Sequence, residues 1–156
     1  MPHPYDEIFQ HLQAAFSAIE AAGLRDSVAK GGVGEILLAR YLGHTLCDSD
    51  KGADGEDNAG NLFEYKVSIT NQFNFHFGTR EVRDPPEAKV RRHFQGISAA
   101  ICAKREGANI VSAIYVPTQS LIEDLVTHFS ASRGNQLNRN YRIQSLEALD
   151  GARIIA

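Results

Sequence analysis

The chain has 156 residues, 43% of them hydrophobic and 22% charged, which suits one domain with a real core and excludes a disordered chain. No apolar run approaches the length that crosses a bilayer, and the opening Met-Pro-His-Pro-Tyr-Asp-Glu lacks the basic and apolar regions of a signal peptide, so a cytoplasmic protein is expected. The net charge of −3 runs against a nucleic-acid binder, but residues 1–78 hold 5 Lys/Arg and 11 Asp/Glu while residues 79–156 hold 11 and 8. Acid thus collects in the first half and base in the second, a pattern that also fits a merely solvated surface. Cys47 and Cys102 sit among apolar neighbours and read as reduced core residues, with no zinc-like spacing.

In chain order, Ile8, Leu12, Ala15, Phe16 and Ile19 share one helical face over residues 5–22, and Gly23 is a stop. Lys-Gly-Gly-Val-Gly-Glu (30–35) opens a second helix, Glu35 to Leu42, closed by Gly43. No strand precedes those glycines and no GK[ST] follows, so they read as aids to close packing or backbone approach, not as a phosphate loop. His44 to Cys47 is a short strand, the acidic loop 48–61 follows, and Leu62 to Ile69 is a strand. Gln72 to Phe77 alternates strictly, with Gln72, Asn74 and His76 on one face and Phe73, Phe75 and Phe77 on the other, a half-buried strand. Pro85 or Pro86 starts a basic helix, Glu87 to Gln95. Ala99 to Ala103 and Ile110 to Val116 form a hairpin around Lys-Arg-Glu-Gly-Ala-Asn. An amphipathic helix, Thr118 to Phe129, leads to a polar loop, Ser130 to Asn140, then a strand at Tyr141 to Ile143 and a helix at Ser145 to Leu149. The predicted class is α/β (α+β), a central mixed sheet flanked by helices. It is one domain: 5–42 helical, 43–116 the sheet, 117–156 a helix and polar loop.

The stretch that carries chemistry is Asp54 to Lys66. Glu64 and Lys66 lie two residues apart on a strand, so they project from one face. Asp54 and Glu64 offer hard oxygen donors for Mg²⁺, which keeps several waters and needs few carboxylates, and the Tyr65 carbonyl adds a third. Such a metal polarises a phosphate and acidifies its own water, with Lys66 positioned to orient that water or to offset charge on the phosphate. Lys66 is not expected to act as a base, because the adjacent carboxylates favour its charged form. An EF-hand fails in either register: from Asp48 it meets Gly52 and Ala53 where an acid and a glycine are needed, and from Asp50 it ends on Asn61. An acidic turn that only links strands remains the rival.

An acid in a turn followed by Glu-x-Lys on the next strand resembles the PD-(D/E)xK nuclease superfamily, although Ala53 stands where its proline would be. Asp57-Asn58-Ala59-Gly60 between Asp54 and Glu64-Tyr65-Lys66 narrows the likeness to the PvuII-like type II restriction endonucleases, as do Gly31-Gly32 and Ala113-Ile114-Tyr115. The specific part covers about a dozen residues. The resemblance implies a restriction-endonuclease-like core and a prokaryotic homodimer using Mg²⁺ (Mn²⁺ as a substitute). Asp54 and Glu64 would be its ligands, Lys66 the catalytic lysine and Glu35 an auxiliary acid. A histidine cluster after the catalytic strand is missing here, where Phe77-Gly78-Thr79-Arg80 follows His76, so the recognised sequence is not carried over.

For DNA, Gln72, Asn74 and His76 are candidate base readers and Arg80 a candidate for guanine; the rival is the wet side of an edge strand. Lys89, Arg91, Arg92 and His93, with Arg133, Asn138 and Arg139, are candidates for phosphate. The leading expectation is a site-specific endonuclease on double-stranded DNA, with residues 5–42 as the dimer contact. Its rivals are a junction-resolving or repair nuclease with the same site, and a silent DNA-binding module.

Overall fold

The computed structural model describes residues 5–24, 32–47 and 52–156; the expectations on Lys30, Gly31, residues 48–51 and the side chain of Ile8 lie outside the described residues. The chain forms two compact units, Met1–Val33 and Gly34–Ala156. In the first, helix α1 (Asp6–Ala21) opens on Asp6 and Glu7, whose charge suits a helix N-terminus, and ends before Gly23 at φ 72°. Its Phe9, Leu12 and Phe16 are exposed.

The second unit is mixed α/β around a mostly antiparallel sheet. Helix α2 (Val33–Leu42) precedes strands β1 (Thr45–Leu46), β2 (Gly55–Glu56), β3 (Leu62–Ser68) and β4 (Gln72–Thr79). Helix α3 (Pro86–His93), β5 (Ile97–Glu106), β6 (Asn109–Pro117), α4 (Thr118–Ala131), β7 (Gln136–Arg142), α5 (Ile143–Glu147) and β8 (Arg153–Ile154) follow. Six strands run in the order β1-β2-β3-β5-β6-β8, with β3 and β5 parallel and every other neighbour antiparallel. The remaining strands, β4 and β7, make a separate antiparallel ribbon.

Helices cover both faces of the sheet. Leu38 and Ala39 of α2 pack with Phe63, Tyr65, Ala99, Ile101 and Ala103. The opposite face, Ala100, Cys102, Ile114 and Val116, packs under Val90 of α3, under Leu121, Leu125 and Phe129 of α4, and under the apolar side of the ribbon, Phe73, Phe75, Leu137 and Tyr141. Alternation along β3 therefore turns Phe63 and Tyr65 to α2, and Glu64 and Lys66 to the face shared with the ribbon.

Three expectations need correction. The polar loop expected at 130–140 narrows to residues 132–135, between the end of α4 at Ala131 and strand β7, which starts at Gln136 and carries through Arg142. Only Leu137 and Tyr141 are apolar on its inner side; the third inner residue, Arg139, is satisfied by Asp124 at 3.1 Å and by the Tyr141 ring. Apolar alternation was too sparse to mark a strand. The β5–β6 hairpin closes on Gly107 and Ala108, because Lys104, Arg105 and Glu106 stay in the ladder past a bulge. Ile143 opens the last helix and does not end a strand.

Candidate active site

The local fold explains the acidic stretch. Asp57 Oδ1 accepts the backbone N–H groups of Ala59 and Asn61, and Oδ2 accepts from Asn61 Nδ2, each at 2.9 Å. Gly60 takes φ 84°, which side chains other than glycine rarely adopt. The Asp-Asn-Ala-Gly insert is thus a self-capped turn that folds β2 back on β3, with Gly55 opposite Phe63.

Asp54 lies just before β2 and brackets Glu64. Its N–H donates to the Phe63 carbonyl at 2.9 Å, and its Oδ2 accepts the Tyr65 N–H at 2.7 Å. Since N–H and C=O of one residue leave a strand on the same side, the Tyr65 carbonyl also faces Asp54. A glycine makes this possible: a Cβ on Gly55 would strike the Tyr65 ring and hydroxyl. That hydroxyl is held by His44 Nδ1 at 2.8 Å.

Glu64 is only 5% exposed. Its Oε1 lies 2.8 Å from Lys66 Nζ and 3.3 Å from His93 Nε2 at the end of α3. Lys66 in turn sits 5.3 Å from the centroid of the Phe75 ring in the ribbon. Glu35 belongs to the same neighbourhood, since its charge acts on Asp54. Gly34 permits this: a Cβ there would sit 2.8 Å from Val67 Cβ, so only glycine lets the start of α2 close on β3.

The charges divide unequally. Burial, then the adjacent Glu64, pushes the Asp54 carboxyl up to about 7, against the Tyr65 N–H, and Glu35 adds to the rise. Burial also works against ionised Glu64, but His93 and Lys66 outweigh it and hold its carboxyl below the usual range. Burial would lower the Lys66 ammonium; Glu64 and Asp54 reverse that and raise it, so Lys66 is a cation and no base at neutral pH. Two adjacent carboxylates, one of them strained by its neighbour, and a fixed ammonium compose the site. Among the described residues no group of three or more His, Cys, Asp and Glu could hold a metal alone, so a cation here would rest on Asp54, Glu64, the Tyr65 carbonyl and water.

The sequence candidates for DNA separate into two groups. Gln72, Asn74 and His76 form the exposed side of β4, and β7 adds Arg142, Asn140 and Asn138 directly opposite them. Asn74 Nδ2 donates to Asn140 Oδ1 at 2.9 Å, and His76 Nε2 pairs with Gln136 at 3.2 Å. Arg80, by contrast, donates from Nη2 to the Phe129 and Ser132 carbonyls at 3.0 and 3.1 Å and from Nε to Gly134 at 3.2 Å. It clamps the end of α4. Lys89 donates to the Thr79 carbonyl at 2.7 Å and to Glu81 at 2.8 Å. Arg92 pairs with Asp84 at 2.6 Å, Arg91 with Glu87 at 2.9 Å, and Arg139 with Asp124. Arg133 is exposed.

His93 joins the site from α3, where sequence reasoning put it among phosphate contacts; nothing in the spacing between Glu64 and His93 signals their meeting. Its neighbours Phe77, Asp84, Lys89 and Arg92 line a cleft of about 290 Å³ with it. No protein-family model matches the chain, and no curated protein matches it.

Proposed function

We propose that the chain is a metal-dependent deoxyribonuclease of the PD-(D/E)xK kind, a type II restriction endonuclease resembling the PvuII-like enzymes and cutting double-stranded DNA. One observation carries the reading: Asp54 is held beside Glu64 by the backbone on both sides of it, with Lys66 paired to Glu64 at 2.8 Å. The donor set fits a hard divalent ion. Burial first, and then repulsion from Glu64, raise the Asp54 carboxyl to about 7, and the repulsive part is what a bound cation relieves.

Asp54, Glu64 and the Tyr65 carbonyl would hold Mg²⁺ or Mn²⁺, with Glu35 as auxiliary acid. The ion would supply a Lewis acid for a phosphate oxygen and an acidified water. The chain's own contribution is preorganisation. The turn at 57–60 and the Tyr65 N–H keep the Asp54 carboxylate from rotating away. Lys66, cationic and partly buried, is a fixed positive charge for the phosphate as negative charge grows on it.

The ribbon supports a DNA substrate. Its outer face is Gln72, Asn74, His76, Asn138, Asn140 and Arg142, with no carboxylate, and a two-stranded ribbon fits a major groove where amides read adenine and arginine reads guanine. Exposed Phe9, Leu12 and Phe16 on α1 are the surface assigned to self-association, and a two-fold dimer suits a palindromic site. No described helix is long and apolar enough to cross a membrane.

A second reading, DNA binding without cleavage, draws on the Lys66–Glu64 pair, which engages both the ammonium and a ligand oxygen. A junction-resolving or repair nuclease would use the same residues on branched DNA. Incubation with plasmid DNA and Mg²⁺, then sequencing of the ends, separates them. Discrete fragments are expected; nicks confined to branched DNA point to the resolvase, and binding with no cutting under Mg²⁺ or Mn²⁺ refutes the nuclease. Asp54→Ala should abolish cutting and leave DNA binding within a few fold.

A further inference from the structure

We propose that His93, at the end of α3, is a positioning residue for Glu64, holding that carboxylate for its cation. Glu64 is nearly sealed from water, and both of its side-chain partners, Lys66 and His93, approach the same oxygen, Oε1. Oε2 is the atom left for a cation. A carboxylate with one oxygen fixed cannot swing, so the other keeps its aim.

The two partners are not equivalent. Lys66 stands two residues along the same strand, and the phosphate would also attract its ammonium. His93 comes from a different element and has a rigid ring. That ring is wedged edge-on against Phe77 at 5.2 Å and Phe94 at 4.8 Å between centroids. Val90 and Phe94, at 0% and 2% exposure, root the end of α3 in the core. The far side of His93 borders the cleft it lines with Phe77 and Arg92. A phosphate that draws on Lys66 would therefore still leave His93 Nε2 in place against Glu64.

The inference rests on the nuclease reading for the cation and on geometry alone for the contact. The test compares full-length wild type, His93→Ala and His93→Gln, each first checked for cooperative thermal unfolding. Gln can reach Glu64 with its amide N–H. Ca²⁺ binding is measured by calorimetry without DNA, and the Glu64 side-chain carbonyl is followed by ¹³C NMR, assigned with Glu64→Gln. His93→Ala should weaken Ca²⁺ binding by about 10–100-fold and shift the Glu64 resonance, and His93→Gln should restore both to within about threefold and near the wild-type shift. Wild-type Ca²⁺ affinity in His93→Ala, or an unmoved Glu64 resonance, overturns the assignment. If wild type binds no divalent ion while the resonance still moves in His93→Ala and returns in His93→Gln, the positioning contact stands and the nuclease reading falls.

Discussion

The carboxylate of Asp54 accepts the backbone N–H of Tyr65 at 2.7 Å, so the residue bearing one acid of the site is tied to the residue that follows the other. This single bond orients Asp54, yet it does not offset burial and the charge of Glu64, which leave Asp54 with a carboxyl raised to about 7.

A stability signature follows. Because the folded value lies above the unfolded one, the unfolded chain releases its proton first as pH rises, and the fold loses stability from about pH 4 to about pH 7. Above that the loss is complete and constant. Asp54→Asn keeps the acceptor for Tyr65 and removes the charge. Its stability relative to wild type should be near zero below pH 4 and grow to on the order of 2 kcal/mol by pH 8, discounted for the partial exposure of the carboxyl. Ca²⁺ should raise the wild-type melting temperature at pH 8 and leave Asp54→Asn nearly unmoved. Thermal melts across pH, with and without Ca²⁺, measure both; a difference that is flat with pH would refute the raised carboxyl.

The Gly55 contact gives a separate test. An added methyl would meet the Tyr65 ring beneath it, and that ring is fixed by His44 and the core. Gly55→Ala should lower stability by about 1–3 kcal/mol, as overpacking does, and reduce cleavage by displacing Asp54. Gly107→Ala, in a turn with open space around the new methyl, serves as the control and bears only the strain of φ 58°. Urea denaturation of the two variants decides; equal losses would mean that the close approach at Gly55 is not special.

Arg80 was a candidate guanine reader by position and is a structural clamp by contact. Lysine cannot span the Phe129, Ser132 and Gly134 carbonyls at once. Arg80→Lys should therefore cost about 1–3 kcal/mol of stability and leave the recognised sequence unchanged. Sequencing of cleaved ends beside a denaturation curve tests this, and altered specificity at full stability would restore the reading role.

How much the sequence disclosed depends on the range of the interaction. The Glu64–Lys66 pairing was legible because period two puts both on one face, and the half-buried β4 because Phe73, Phe75 and Phe77 alternate with polar residues. Strand β7 was hidden because its inner Arg139 is neutralised by Asp124, a partner set by the fold of α4. His93 was visible only as part of a basic run, since its meeting with Glu64 depends on how α3 crosses β3. The role of Gly34 was legible as close packing, but its partner Val67 was not.

Lys66 yields the last prediction. Glu64 and Asp54 raise its ammonium above the ordinary lysine value despite burial, so it stays charged at neutral pH and well above it. The stability of the pair with Glu64 is present below the lysine's unfolded pKa and is lost only as pH climbs through the raised one. A cleavage profile between about pH 6 and 9 should therefore contain no limb from this lysine. Lys66→Met should reduce cleavage by about 10²-fold or more, while DNA binding in Ca²⁺ changes only a few fold. It should also destabilise the fold, because Glu64 then keeps His93 alone as partner at its buried oxygen. Lys66→Arg keeps the charge but brings a planar fork into a space beside the Phe75 ring, and should recover stability more fully than rate. Single-turnover cleavage, fluorescence anisotropy with labelled DNA and urea denaturation read the three quantities separately. A Lys66→Met protein that cuts at the wild-type rate would remove Lys66 from the site.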